Sequence, residues 1–511
     1  MNFNRTTQKI GFCDTVYETT SEQSLDADIN LPDYCPEIQR ILSCSVIPNV
    51  ISVQNNSGRI TADANAVVRI LYVGDNGKMA SFEHNYPVQK FVESAKITSD
   101  CAVDVRVKTD YANCRAVNPR RADVRAMLSF IFKVTGKREE SLLCSAEGAG
   151  IQTASEEYNI ASLCGMSERA FTLSEVIELS QEKNSITQIM NISACAVPDE
   201  IKIINNKALI KGNCNIKIYY ISSESDAVDS VEHSMPISQI IEADGLNENS
   251  KVCISLSVAS CEAIPKADSS GNIRLIDLNI RINAFTVAHD EKTLTLISDA
   301  YSTEYGSEIK HKNIELLSFN DSFESSFTNK VILESIGVSV DCVLSVWCSE
   351  IKYSFVPKGE KCSIYGGYQV NIVYKNSDGQ FGVIRKPVDF DFAVKLQNKS
   401  ERINCYGSVQ ILSCSCAVTG DSRLELKTEL IANGIIFTGL MKNYVSDIVL
   451  SDDKNMKKNN SALTICYCEK NDSVWNIARK YNTTVEAIKS ENDIDFDVIE
   501  DKCMLLIPLD K

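Results

Sequence analysis

Positive charge is in short supply here: Lys and Arg number 52 against 68 Asp and Glu, which leaves a net charge of −16. A nucleic-acid partner is excluded on that ground, because neutralising phosphates takes clustered Lys and Arg. Histidine is scarcer still, with four in 511 residues. No apolar run approaches the roughly 20 residues that cross a bilayer as a helix. The opening residues Met1 to Lys9 hold no apolar core of a secretory signal, so the expectation is a chain working in the cytoplasm. None of the 20 cysteines forms Cys-x-x-Cys, the nearest approaches being Cys414-Ser415-Cys416 and Cys466-Tyr467-Cys468. In a reducing compartment such thiols act mainly as small buried apolar residues, and no metal site is expected. Phosphate loops, dinucleotide fingerprints, His-Glu-x-x-His and Gly-x-Ser-x-Gly are all missing. The chain is therefore expected to be non-catalytic and to carry no cofactor.

What is present is repetition. A chain this long suggests about three or four domains, and self-similarity appears at a period of roughly 150 residues. Val68-Arg69-Ile70-Leu71-Tyr72 returns as Ile216-Lys217-Ile218-Tyr219-Tyr220 and as Val370-Asn371-Ile372-Val373-Tyr374. Ser81-Phe82-Glu83-His84-Asn85-Tyr86-Pro87 is echoed by Ser230 to Pro236 and more loosely by Gly382 to Pro387. Cys101, Cys253 and Cys405 recur at one interval, as a shared core position would. Short alternating runs are bounded by turn signals such as Asp75-Asn76-Gly77, Asp268 to Gly271 and Asp378-Gly379. The fold class expected is mainly β: three antiparallel sandwich-like or barrel-like copies at 25–158, 165–308 and 318–445, after an N-terminal segment 1–24. Helical turns are expected at Glu37 to Leu42 and Ser174 to Ser180. A polar linker, 446–462, leads to a small last domain, 463–511.

In that last domain Val474, Ile477, Ala478 and Tyr481 fall on one helical face. Asp472 or Ser473 can cap this helix. Thr483 and Glu486 have capping-box spacing for a second helix that turns Val485 and Ile488 inward. With a strand on either side the unit reads βααβ, and Trp475 is expected to anchor its core. Truncating that anchor to Ala should then cost about 3 to 5 kcal/mol.

Asp472 to Ala478, Tyr481, Val485, Ile488, Asn492-Asp493-Ile494 and Leu506-Ile507-Pro508 resemble a LysM domain. The resemblance implies binding of N-acetylglucosamine glycans, peptidoglycan among them, in a groove between two loops. Here those loops are Asn471, Asp472, Ser473 and Val474, and Asn492, Asp493 and Ile494. First-loop amides would bond acetamido groups. Where the family usually has Gly, this chain has Asn471, which tolerates a left-handed backbone but carries a side chain into space a sugar needs.

The segment Leu31-Pro32-Asp33-Tyr34-Cys35-Pro36-Glu37-Ile38-Gln39-Arg40-Ile41-Leu42, with the Leu71-Tyr72 strand and the Glu83-His84 hairpin, gives a second resemblance. It is similar to the β-rich repeat that precedes a C-terminal LysM domain in clostridial SipL-type spore-coat morphogenesis proteins. That likeness implies an adaptor in the mother cell at the forespore surface. The implied partner is the ATPase of the coat's basement layer.

Sharper readings of single residues are weaker. His84 and His233 follow Glu83 and Glu232, but the third copy has Ile384 there, so both read as strand residues. His289 and His311 have no recognisable company. Cys35 lies between two prolines that argue for a structural turn feeding a short helix, with no His placed to activate it. The leading expectation is a scaffold or adaptor docking to a coat protein. A peptidoglycan-binding protein is the alternative; a wall-acting enzyme would need an acidic pair that cannot be singled out among so many carboxylates.

Overall fold

The structure, a computed structural model, describes residues 3–223, 227–334, 337–397, 402–420, 423–454 and 463–508. The first copy consists of β1 (Asn4–Asn30), β2 (Ile38–Asn55), β3 (Arg59–Gly74), β4 (Met79–Glu93), β5 (Ala102–Asn118) and β6 (Arg121–Glu147). They form two antiparallel sheets, β1-β6-β5 and β2-β3-β4. Period-two patterning dictates the arrangement. Every second residue of β3, from Ile60 through Ala62, Ala64, Ala66 and Val68 to Tyr72, faces one core with Val124, Leu128, Phe130 and Phe132 of β6. Small residues on one sheet and rings on the other fill that space together, as a close-packed sandwich requires.

The second copy repeats this with β7 (Ile151–Glu178), β8 (Ile186–Ile204), β9 (Lys207–Ser222), β10 (Val228–Glu242), β11 (Lys251–Ala267) and β12 (Ile273–Ser302). The third uses β13 (Tyr305–Leu333), β14 (Cys342–Lys358), β15 (Lys361–Lys375), β16 (Phe381–Lys395), β17 (Ile403–Gly420) and β18 (Arg423–Lys454). Strand order is the same in all three, and each copy closes its own core. The three recurring anchors fall on β3, β9 and β15, the middle strand of the same sheet each time. The turn signals sit where hairpins need them, with Gly77, Gly271 and Gly379 at positive φ.

Three expectations are corrected. Glu37 to Leu42 and Ser174 to Ser180 are not helical: β2 begins at Ile38, and Ser174 to Glu178 pair with Asn279 to Leu275. Ladder pairing outweighs a local helical pattern too short to nucleate alone. The Pro32–Pro36 turn therefore feeds a strand, with the Cys35 N–H donating to the Pro32 carbonyl. Cys101, Cys253 and Cys405 share no core position: Cys101 packs on the first copy's core, Cys253 meets Phe437 and Tyr406 of the third copy, and Cys405 packs with Cys362 and Leu396.

The first and last strands of each copy are much longer than a sandwich needs. β1 takes in most of 1–24, β7 and β13 run through 159–164 and 309–317, and β18 continues through 446–454. Residues 455–462 of the polar linker lie outside the described residues. These long strands bring the copies together. Ile10 and Leu142, Ile160 and Leu294, and Ile314 and Leu316, one pair from each copy, form a shared apolar junction. β1 crosses β7 so closely that a Cβ on Gly11 would stand 2.3 Å from the Leu163 carbonyl oxygen.

A second junction joins the other sheets. Each carries a β-bulge at the same place, at Leu42, Met190 and Leu344. Those three side chains meet Leu71, Tyr219 and Val373 in one cluster. Polar bonds tie it in sequence: Arg69 Nη1 donates to Asn191 Oδ1 at 3.0 Å, Tyr219 OH to the Val346 carbonyl at 3.1 Å, and Arg385 Nη2 to the Cys44 carbonyl at 3.1 Å. Copy one thus bonds copy two, two bonds three, and three bonds one: the copies close a ring.

Candidate functional site

The C-terminal unit is built from β19 (Leu463–Cys468), α1 (Val474–Tyr481), α2 (Val485–Asn492) and β20 (Cys503–Pro508), the βααβ order read from sequence. Ser473, not Asp472, caps α1, its Oγ accepting from the Asn476 N–H at 3.1 Å. Thr484 caps α2 through the Ala487 N–H at 3.0 Å, so the capping-box reading at Thr483 is off by one. Thr483 is instead buried, and its carbonyl takes an outside bond described below. Val474, Ala478, Ile488 and Ile507 are fully buried and form the core. Cys466 and Cys468 point into it with their sulfurs 3.9 Å apart.

Trp475 packs against that core from its edge rather than filling it. Its indole is half-buried and meets the end of β12, from the second copy. The ring stands edge-on to Tyr301 with centroids 4.9 Å apart, and Nε1–H donates to Asp299 Oδ2 at 2.9 Å. Arg479 Nη1 reaches the same oxygen at 2.7 Å, while Tyr301 OH donates to the Thr483 carbonyl at 2.7 Å. The Trp is covered from outside because β12 runs on beyond its sandwich and supplies a receptor for it.

The first loop is bonded inward. Asn471 adopts the left-handed conformation, φ 70°, that its family position calls for. Its N–H donates to the Ile499 carbonyl at 2.8 Å, the Asp472 N–H to Glu469 at 3.2 Å and the Val474 N–H to Asp497 at 2.9 Å. Ser473 forms a β-bridge with Val498, and Asp472 Oδ2 accepts from the Glu469 N–H at 2.8 Å.

In the second loop, Asn492 clamps the chain. Its Nδ2 donates to Ile488 and Leu506 carbonyls at 2.8 and 2.7 Å, and its Oδ1 accepts from the Leu506 N–H at 2.7 Å. Asp493 ends α2 at φ 50°, and Ile494 packs on the core. While Asn492 of the second loop bonds to Ile488 and Leu506, the first loop bonds to a stretch that sequence reasoning missed, Asp497 to Ile499. No motif marks it; its signal is only the apolar Phe496 and Val498 set among acids, and both stay exposed.

A second surface also went unread. Ile465 pairs with Leu506 and Tyr467 with Met504 on the outer face of β19 and β20. All four are exposed, Tyr467 at 79%. The segment between Asn492 and Lys502 exposes Asp493, Asp495, Asp497, Glu500 and Asp501, of which Asp497 pairs with Lys489 Nζ at 2.6 Å.

Elsewhere, His84 is exposed beside Tyr86 and His233 lies 3.2 Å from Glu175, each on its strand at the register position of the other. Cys35 is buried, which pushes its thiol upward, and Arg120 holds its turn through the Pro32 carbonyl. Among the described residues no three His, Cys, Asp or Glu side chains converge as a metal site would need.

The C-terminal unit matches the LysM domain model over residues 469–508, so the module is a LysM domain. The model of the SipL, SPOCS domain matches twice, over 37–117 and 185–265. SPOCS segments ahead of a C-terminal LysM domain are the arrangement of a SipL-type protein, and this chain has it. Each SPOCS match runs from the start of the second strand of a copy to the fifth, leaving the long first and last strands outside. The third copy has the same strand order without a match. No curated protein and no solved structure matches the chain.

Proposed function

We propose that this protein is a non-catalytic adaptor in bacterial spore-coat or envelope assembly, with its LysM module docking to a coat morphogenetic protein. The SPOCS and LysM matches support a sporulation setting. The observation that carries the docking reading is the state of the first loop: the N–H groups of Asn471, Asp472 and Val474, which a sugar's acetamido group would need, already donate within the module. The exposed strip of Ile465, Tyr467, Met504 and Leu506 suits an apolar protein surface. By the family resemblance that protein is the basement-layer ATPase, and the place is the mother cell.

Peptidoglycan binding is the second reading, favoured by the LysM match and by Phe496 and Val498 exposed next to the first loop. One pair of measurements separates the two. Full-length protein is tested for co-purification with the coat ATPase and for sedimentation with purified peptidoglycan. Tyr467→Asp abolishing the first while the second is absent supports docking. Sedimentation with wall that Asn471→Lys removes overturns it in favour of the glycan.

A further inference from the structure

The third copy contains two thiols placed side by side across its sandwich. Cys348 lies on β14, an edge of one sheet, and Cys414 on β17, an edge of the other. Both pack on the same core, with the two thiols close enough to influence each other. Both also line a cleft of about 1010 Å³ that opens between the three copies. A second pair occurs in the first copy, where Cys44 on β2 and Cys114 on β5, the corresponding strands, also influence each other. Neither of those lines the cleft. Nothing in the adaptor reading uses either pair.

We propose that Cys348 and Cys414 form a thiol–disulfide exchange site, which takes small aliphatic disulfides through the cleft and closes an inter-sheet disulfide in the third copy. Cys414 is the attacking group. The neighbouring Cys348 first, then the Thr428 hydroxyl at 3.7 Å and the Lys217 charge from the second copy, hold its thiol below the ordinary range against the effect of burial. Cys348 is held above that range by the neighbouring Cys414 and by burial, and keeps its proton. The Cys414 thiolate attacks one sulfur of RS–SR; the new Cys414–SR bond forms, the RS–SR bond breaks, and one RS⁻ leaves with the proton Cys414 gave up. Cys348 then loses its proton and attacks the Cys414 sulfur, expelling the second RS⁻, which leaves as RSH. Two electrons pass from the protein to the small disulfide.

The test uses the full chain, fully reduced, with hydroxyethyl disulfide as probe and mass mapping of a non-reducing digest. A peptide linking Cys348 to Cys414 appears ahead of any Cys44–Cys114 link, and the thermal midpoint rises by several degrees until reductant is added. Cys348→Ser stops at a mixed disulfide on Cys414, and Cys414→Ser slows adduct formation at Cys348 about tenfold or more. The proposal fails if Cys348 and Cys414 remain open to alkylation while other cysteines react, or if each carries its own adduct with no link. Should a variant not fold, the digest of the unaltered chain decides alone.

Discussion

The Trp475 indole N–H and the Asp299 carboxylate meet at 2.9 Å across 176 positions of chain, and through them the LysM module is seated on the second copy. A half-buried donor to a carboxylate contributes about 1.5 to 3 kcal/mol. Trp475→Ala is expected to release the module from β12 while leaving it folded. Calorimetry should resolve a separate module transition, and protease should cut between the ring and the module sooner. Loss of the module's own cooperative melting would contradict this.

Ile488 gives the contrasting outcome. It is fully buried among Val474, Ala478 and Ile507, and its truncation leaves a cavity that so small a core cannot absorb. Ile488→Ala should cost about 2 to 5 kcal/mol and melt the module, read as loss of its transition with the ring's unchanged.

At the β1–β7 crossing, Gly11→Ala forces a methyl against the Leu163 carbonyl, where the gap is 2.3 Å. The strands must part, which also strains the Gly11 N–H bond to Ser162 Oγ. A loss of about 1 to 3 kcal/mol is expected in urea titration, with faster hydrogen exchange confined to the long strands.

Acidity acts on two faces between copies in opposite directions. Glu168 meets the first copy through the Val103 N–H at 2.9 Å; burial first, then the Asp104 charge, pushes its carboxyl from 4.5 to about 7. The folded chain thus holds that proton more tightly than the unfolded one, so this contribution to stability declines as pH rises from 4.5 to 7. His289, packed against Tyr406 and Phe437, is pushed by burial from 6.5 down to about 4. There the unfolded chain binds the proton more readily, so stability is lost as pH falls from 6.5 toward 4. The two slopes oppose each other from pH 4.5 to 6.5, so urea midpoints should stay nearly level there. Glu168→Gln should remove the opposing slope and unmask a steady fall of the midpoint below pH 6.5; an unchanged profile would refute the assignment.

Single strands were easy to read because burial on one face writes itself as alternation. In β3, Ile60, Ala62, Ala64 and Ala66 alternate with residues on the outer face. The ring was harder, although a trace of it is visible. Ile70-Leu71-Tyr72-Val73 and Ile218-Tyr219-Tyr220-Ile221 abandon alternation, as strands covered on both faces do. Which partner covers the second face depends on bulges at Leu42, Met190 and Leu344, and a bulge exists only relative to the strand paired with it. In the module, helix faces and the left-handed Asn471 followed from residue type. The inward bonding of its loop did not, because Asp497 to Ile499 carry no motif. Trp475 misled because a large ring in a small unit reads as core until a neighbour is known.

The ring of three copies also fixes a count. A threefold assembly made from separate chains would fall apart on dilution and would carry three C-terminal modules. Here one covalent chain supplies every member, so the assembly does not depend on concentration and its positions are free to differ. Tyr301 and Asp299 stand at the end of β12, while the corresponding positions of β6 hold Glu147 and Ser145. A scaffold of threefold descent thereby presents one LysM module, in one orientation, to whatever it meets.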